Sequence, residues 1–234
     1  MRLAGVIAAL VLVAGCSQPV GGDAQKSGDA QKSAQKSARP STAHSTAPTT
    51  SPTSMAPKQP PGPGAPVADV IAWIEAASPA EPGGYHVATR SGETTQLGDD
   101  VAFTTPSNKA NCMTDSKNSG GTLACLVKLT NPPPQPADVY GQWKGNWIDY
   151  DGKSLRIGSV HGDPGRFAAG NGPELPYGQA LAFGDYRCRS DPAGLFCVNY
   201  AHQSAARFSD SGVEPFGCLK AMAPDPQIGE MFGC

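Results

Sequence analysis

The chain has 234 residues, and its 28 Gly and 23 Pro together make up about a fifth of it, close to the fraction at which low-complexity sequence becomes the default expectation. It carries 18 Lys and Arg against 20 Asp and Glu, a net charge of −2, and 16 aromatic residues. These figures exclude a coiled coil, a polytopic membrane protein and a strongly basic nucleic-acid binder.

The composition is uneven along the chain. Every aromatic residue lies beyond position 66, as do six of the seven cysteines. The first 66 residues therefore lack the side chains of a packed core, whereas residues 67–234 are numerous enough to bury one. That second part holds 12 Lys and Arg against 18 Asp and Glu, a net −6. It repels phosphate backbones, so no nucleic-acid partner is expected.

Residues 1–15 read as an export signal: one positive charge at Arg2, an apolar run over 3–13, then small Ala14 and Gly15 before Cys16. The run is too short to span a bilayer as a helix. Val13-Ala14-Gly15-Cys16 resembles the bacterial lipobox. That resemblance implies a diacylglyceryl group on the Cys16 thiol, cleavage before Cys16 and acyl chains such as palmitate holding the protein on the outer face of the cell membrane. Two or three acyl chains anchor stably where one alone is marginal.

Residues 16–66 form the predicted tether. Between Ser17 and Pro66 the large apolar residues are Val20 and Met55, too few to offset chain entropy. The segment Gly22-Asp23-Ala24-Gln25-Lys26-Ser27 repeats at once as Gly28-Asp29-Ala30-Gln31-Lys32-Ser33, without a hydrophobic face. The Thr, Ser and Pro residues around 46–53 are compatible with O-glycosylation. As a coil this length spans on the order of 35–40 Å, and extended about 150 Å, which lifts the following domain off the membrane.

Over 67–77 the apolar residues Val67, Val70, Ile71 and Ile74 recur at helical spacing, with Pro66 at the start and Pro79 as a stop. The pattern then changes to period two. Strands are predicted at 85–89, 101–105, 111–115, 123–129, 147–150, 154–160, 179–183, 186–190, 195–199 and 205–209, separated by Gly, Pro and Asp. The Pro-rich stretch 131–136 reads as a surface loop. Many short strands without alternating helices predict a mainly β domain, an antiparallel sandwich or open barrel with one short N-terminal helix.

Six cysteines remain after Cys16, an even number that predicts disulfides in an exported chain. A turn at 191–194 sets Ser190 opposite Leu195, Arg189 opposite Phe196 and Cys188 opposite Cys197. Directly opposed residues lie about 4.5–5.5 Å apart at Cα, within disulfide reach. A loop around Gly120-Gly121 likewise brings Cys112 to Cys125, leaving Cys218 for Cys234 at the C-terminal tail.

Phe103-Thr104-Thr105-Pro106-Ser107 followed by Cys112 resembles an F-x-S-P-S-G-N-x-x-C opening of exported actinobacterial proteins. Leu175-Pro176-Tyr177-Gly178, Tyr186-Arg187-Cys188-Arg189-Ser190 and Cys197-Val198-Asn199 resemble its second half. The similarity covers roughly residues 101–209, and with the lipobox and tether the chain looks like a mycobacterial lipoprotein of the LppI type. Relatives often carry a further cysteine pair between the halves; here Trp143 and Trp147 stand in that stretch. The resemblance brings no catalytic residues with it.

Chemical motifs are scarce. His44 lies in the tether, and His86, His161 and His202 lack metal-ligand spacing. Gly158-Ser159-Val160-His161-Gly162 misses the nucleophile-elbow pattern by one residue. Phe216-Gly217-Cys218 differs from a transpeptidase H-G-C at its first position, and Asp149-Tyr150-Asp151-Gly152 suits a hairpin turn better than a calcium loop. Tyr140, Trp143, Trp147 and Tyr150 cluster among glycines as candidate ligand-contact aromatics, with core packing as the simpler role. The expectation is thus a membrane-anchored envelope lipoprotein with a non-catalytic domain that binds a cell-wall or protein partner. No catalytic residue, metal or cofactor is assigned. An envelope enzyme with a site assembled from distant residues, or a structural or antigenic surface protein, are the alternatives.

Overall fold

The computed structural model describes residues 57–162 and 164–234. The expected signal sequence, Cys16 and residues 17–56 of the tether lie outside the described residues. Among the described residues no helix is long and apolar enough to cross a membrane.

Helix α1 (Val67–Glu75) opens the domain. Strand β1 (Ser78–Pro79), a 3-10 turn at Pro82–Tyr85 and the hairpin β2 (Val87–Arg90) and β3 (Glu93–Gln96) follow. Next come β4 (Ala102–Thr104), β5 (Ala110–Met113), the one-turn helix α2 (Ser116–Ser119), β6 (Leu123–Val127), β7 (Trp143–Tyr150) and β8 (Ser154–Val160). A second 3-10 turn, Gly165–Ala169, leads to β9 (Gln179–Phe183), β10 (Tyr186–Asp191), β11 (Gly194–Asn199), β12 (Ser204–Ser209) and β13 (Gly212–Gly217). The chain ends with β14 (Lys220–Met222) and β15 (Ile228–Gly233).

These strands form two large sheets and one hairpin. The six-stranded sheet runs β1-β9-β10-β11-β12-β13, and the seven-stranded sheet runs β14-β15-β8-β7-β6-β5-β4. All pairings within them are antiparallel except β1 with β9. Period-two alternation sends one row of side chains from each sheet inward. Phe103, Cys112, Cys125, Ile148 and Ile157 from the larger sheet meet Leu181, Cys188, Leu195, Cys197 and Phe208 from the smaller one in a single buried cluster. The architecture is a disulfide-stapled β sandwich, not a closed barrel.

Two buried phenols of the sandwich are hydrogen-bonded. Tyr150 Oη and Ser204 Oγ lie 2.7 Å apart, and Tyr186 Oη donates to the Tyr150 carbonyl at 2.9 Å. Burial raises the Tyr186 pKa to about 12, so both phenols serve as neutral cross-sheet links.

Each outer face has its own cover. Helix α1 packs Val70, Trp73 and Ile74 onto Ala180, Phe196, Val198, Ala205 and Phe216 of the smaller sheet. The stripe expected through Val67, Val70, Ile71 and Ile74 is the one that packs: Val70 and Ile74 are wholly buried, Val67 and Ile71 are partly buried against the same cluster, and Trp73 joins it from beside the stripe. The Arg189 guanidinium lies 3.5 Å from the Trp73 ring centroid, so the indole gains a cation–π contact there. The helix ends at Glu75, before Pro79, which instead pairs as an edge strand with Ala180. On the other side, Ala88 of β2 and Phe167 of the second 3-10 turn cover Ala102, Met113, Ala124 and Trp147.

Three disulfides join Cys112 to Cys125, Cys188 to Cys197, and Cys218 to Cys234. The first two are directly opposed pairs in antiparallel ladders with Cα separations of 4.1 Å. The Cys188 pairing follows the register of the 191–194 turn, where Ser190 faces Leu195 and Asp191 faces Gly194. The third disulfide links the crossing between β13 and β14 to the last residue of the chain, so it ties the two sheets together at that end. Five strands were not expected from the sequence: β1, β3, β13, β14 and β15. All five are short, fully exposed or carry Pro or Gly, and so lack a clean alternation.

Replacing both Cys188 and Cys197 by Ala removes a cross-link over a sequence separation of 9, which loop-closure entropy values at about 2–3 kcal/mol. Urea unfolding of the oxidised variant should show a loss of that size. An unchanged midpoint would mean that the hairpin ladder alone fixes this part of the fold.

Candidate functional site

The outer face of the seven-stranded sheet is covered over only part of its width. Pairing places Thr104 opposite Asn111, Asn111 opposite Leu126 and Leu126 opposite Trp147, so these four form one outward row across β4 to β7. Trp147 at one end lies under the covering layer. The other three residues floor a cleft of about 510 Å³ whose walls are Asn108, Ala110, Lys128, Asn146 and Asn171. That size lies within the range of small-molecule sites.

Each wall residue is set by local backbone chemistry. Asn108 sits in the β4–β5 turn at φ 53°, a left-handed conformation that Asn tolerates better than most residues. Its N–H donates to the Thr105 carbonyl at 2.8 Å, which closes the turn. Asn146 lies in a bulge: between the pairs Lys144 with Ser159 and Ile148 with Ile157, residues 145–147 of β7 oppose only Gly158 of β8. Bulges re-aim side chains, and this one turns Asn146 to the cleft while Trp147 stays outward and Ile148 goes to the core.

Asn171 is carried in by a close backbone approach. A Cβ at Gly170 would sit 2.1 Å from the Thr89 carbonyl oxygen, and one at Gly172 would sit 2.0 Å from the Ala102 carbonyl carbon. Only glycine lets the strap from 170 to 175 press against both β2 and β4. The strap then pairs with the free edge of β4, with Thr104 N–H donating to Pro173 O at 2.9 Å and Leu175 N–H to Thr104 O at 2.8 Å. Within the cleft the Asn111 amide donates to Asn171 Oδ1 at 2.7 Å, and Asn111 Oδ1 is left buried with no donor. Such an acceptor costs about 1–3 kcal/mol until a donor reaches it.

A second polar cluster lies where β7 meets β8. Ser159 Oγ and His161 Nε2 are 2.6 Å apart, Asp149 Oδ2 is 3.8 Å from the same Nε2, and Trp147 Nε1 donates to Asp149 Oδ1 at 3.1 Å. The His161 ring stacks on Trp147 with centroids 3.6 Å apart, and Arg166 sits 3.7 Å from Asp149. Burial lowers the His161 pKa from its ordinary value; Asp149 opposes this, while Arg166, Arg156 and Lys144 add to it.

The aromatic residues singled out in the sequence do not form one surface. Tyr150 is wholly buried in the sandwich core, and Trp147 is buried beneath Phe167 and His161. Trp143 is half-buried and donates its Nε1–H to the Pro133 carbonyl, which ties down the Pro-rich loop. Only Tyr140 is open, at 89% exposure. Residues three apart on a strand point to opposite faces, which is why Trp147 and Tyr150 part company. The structure thus does not bring these four candidate ligand contacts to one surface, and core packing accounts for Tyr150.

Other motifs resolve in the same way. Cys218 is bonded to Cys234. Asp151 accepts from the Lys153 and Ser154 backbone N–H groups, closing the β7–β8 turn. Among the described residues no group of three or more His, Cys, Asp and Glu could hold a metal ion. The amide-lined cleft is the feature that sequence reading missed, because its residues are scattered from Thr104 to Asn171 and match no motif. No protein-family model, curated protein or solved structure matches the chain.

A stacked imidazole quenches an indole once it is protonated. With the His161 pKa lowered by folding, the folded state favours the neutral ring. The stability this brings is fully present above the unfolded value of about 6.5 and is lost as pH falls through the folded-state value. Trp fluorescence should therefore fall with a midpoint below about 6.5, the ordinary histidine value, and His161→Gln should abolish the transition. A midpoint at or above the ordinary value would contradict the geometry.

Proposed function

We propose that the chain is a lipoprotein of the LppI type, held by acylated Cys16 on the outer face of the cell membrane, and that its β domain binds an envelope component without transforming it. The lipobox and the aromatic-free tether support the anchor. Three cystines support an oxidising, extracytoplasmic location.

The observation that carries the binding reading is the lining of the cleft. Its polar groups are four amides, one hydroxyl and one exposed ammonium. Amides hydrogen-bond in both directions but neither give up nor accept a proton near neutral pH, so this surface recognises and does not act as acid or base.

Two measurements test the proposal. A Cys16→Ala chain should be released or left unprocessed; if it still fractionates with the membrane as a small mature form, the lipid anchor is wrong. The full chain, immobilised, should retain an envelope component that Asn146→Trp, which fills the cleft, no longer retains. Equal retention by both would move binding away from the cleft.

An enzymatic reading has one specific support, the short Ser159–His161 contact. In a hydrolytic triad, however, the carboxylate orients the imidazole through the other ring nitrogen, whereas here Asp149 approaches the same Nε2 as Ser159. A fluorophosphonate reagent should leave the chain unlabelled. Labelling that disappears in Ser159→Ala would reverse the assignment in favour of an enzyme.

A further inference from the structure

Resting on the binding reading above, we infer that the amide-lined cleft on the seven-stranded sheet takes a neutral, polyhydroxylated ligand, a short stretch of uncharged glycan. A sugar hydroxyl donates and accepts at once. A primary amide presents an acceptor oxygen beside a two-proton donor, so it complements a pair of neighbouring hydroxyls. Asn108, Asn111, Asn146 and Asn171 surround the cleft with that one chemistry, and Thr104 adds a hydroxyl. The Asn111–Asn171 bond orients two of the amides in advance, and it leaves Asn111 Oδ1 as an acceptor without a donor.

The remaining features argue against other ligand classes. The cleft holds no carboxylate and a single cation, Lys128, which is exposed at its margin. A polyanion would call for several cations, commonly arginines. The outward apolar surface of the cleft is limited to Leu126, since Ala110 is buried on the core face of its strand, and this falls short of the continuous wall that an acyl chain needs. An extended peptide would add itself to a sheet edge, yet the β4 edge beside the cleft is already paired with the strap at Pro173 and Leu175. The cleft volume of about 510 Å³ accommodates a short oligosaccharide.

The test uses the full chain, purified in detergent, with neutral oligosaccharides (maltotriose, mannotriose, xylotriose and chitotriose) and acidic ones (trigalacturonate and a heparin trisaccharide), by calorimetry and saturation-transfer NMR. At least one neutral oligosaccharide should saturate the protein. Asn146→Ala and the exposed Asn171→Ala should each weaken it about tenfold, the loss of one or two hydrogen bonds. Raising the salt concentration should change it by less than about twofold, as expected when the ligand carries no charge. If the acidic oligosaccharides bind best and Lys128→Ala abolishes that binding, the neutral-glycan assignment fails while the cleft stands as a binding site. If no oligosaccharide binds but the two Asn variants lose the envelope retention described above, the ligand class again fails and the binding reading stands. If no oligosaccharide binds and retention is indifferent to both variants, both fail. Binding that ignores the Asn substitutions places the glycan elsewhere and overturns the inference.

Discussion

The fold depends on two disulfides that occupy equivalent places in facing sheets. Cys112–Cys125 and Cys188–Cys197 are each directly opposed across a hairpin, and all four side chains point into the one buried cluster between the sheets. A cystine in that position does two things at once. It fixes the register of its hairpin, since a slip by one residue would turn every side chain to the wrong face. It also contributes apolar volume to the core, where sulfur packs as a hydrophobe. The loops closed are short, so the cross-links act locally. Joining the sheets falls to the core itself, to the buried Tyr150–Ser204 link and to the Cys218–Cys234 bond at one end.

This explains which parts of the structure can be read from the sequence. Hairpins stapled by cysteine and closed by recognisable turns, such as β10–β11, are legible to the residue because the turn and the bond demand the same register. Strand β8 is clear over its first half, where burial alternates from Ser154 to Ile157 before the stretch that faces the bulge. The edges are not legible. β13 carries Pro215 in its interior, an arrangement that edge strands tolerate because the missing N–H faces away from the ladder. β15 is half-buried along most of its length and gives no contrast between faces. Helix α1 is legible together with its packed stripe of Val67, Val70, Ile71 and Ile74; the inward turn of Trp73, which meets Arg189, is not.

The site is harder to read than the fold, and for a physical reason. Aromatic residues close together in sequence invite a common role, but strand alternation and the β7 bulge distribute Trp143, Trp147 and Tyr150 among a loop contact, an outer layer and the core. The amides that do converge come from a turn, two strands and a strap, and asparagine in sequence signals turns at least as often as sites. Only the pairing register, together with the glycines that let residues 170–175 lie against β4, brings them to one face.

The high glycine and proline content of the domain acquires a meaning from this. A sandwich with both outer faces layered must fold short covering segments tightly against its sheets, and close backbone approach leaves no room for a Cβ. Gly170 and Gly172 meet that demand beside β2 and β4; Gly145 and Gly229 meet it where Pro133 presses on the sheet. Covering segments that lie so close seal the edges against unwanted strand addition. They also stop short of Asn111 and Leu126, and the cleft is the part of the larger sheet that the layering leaves open.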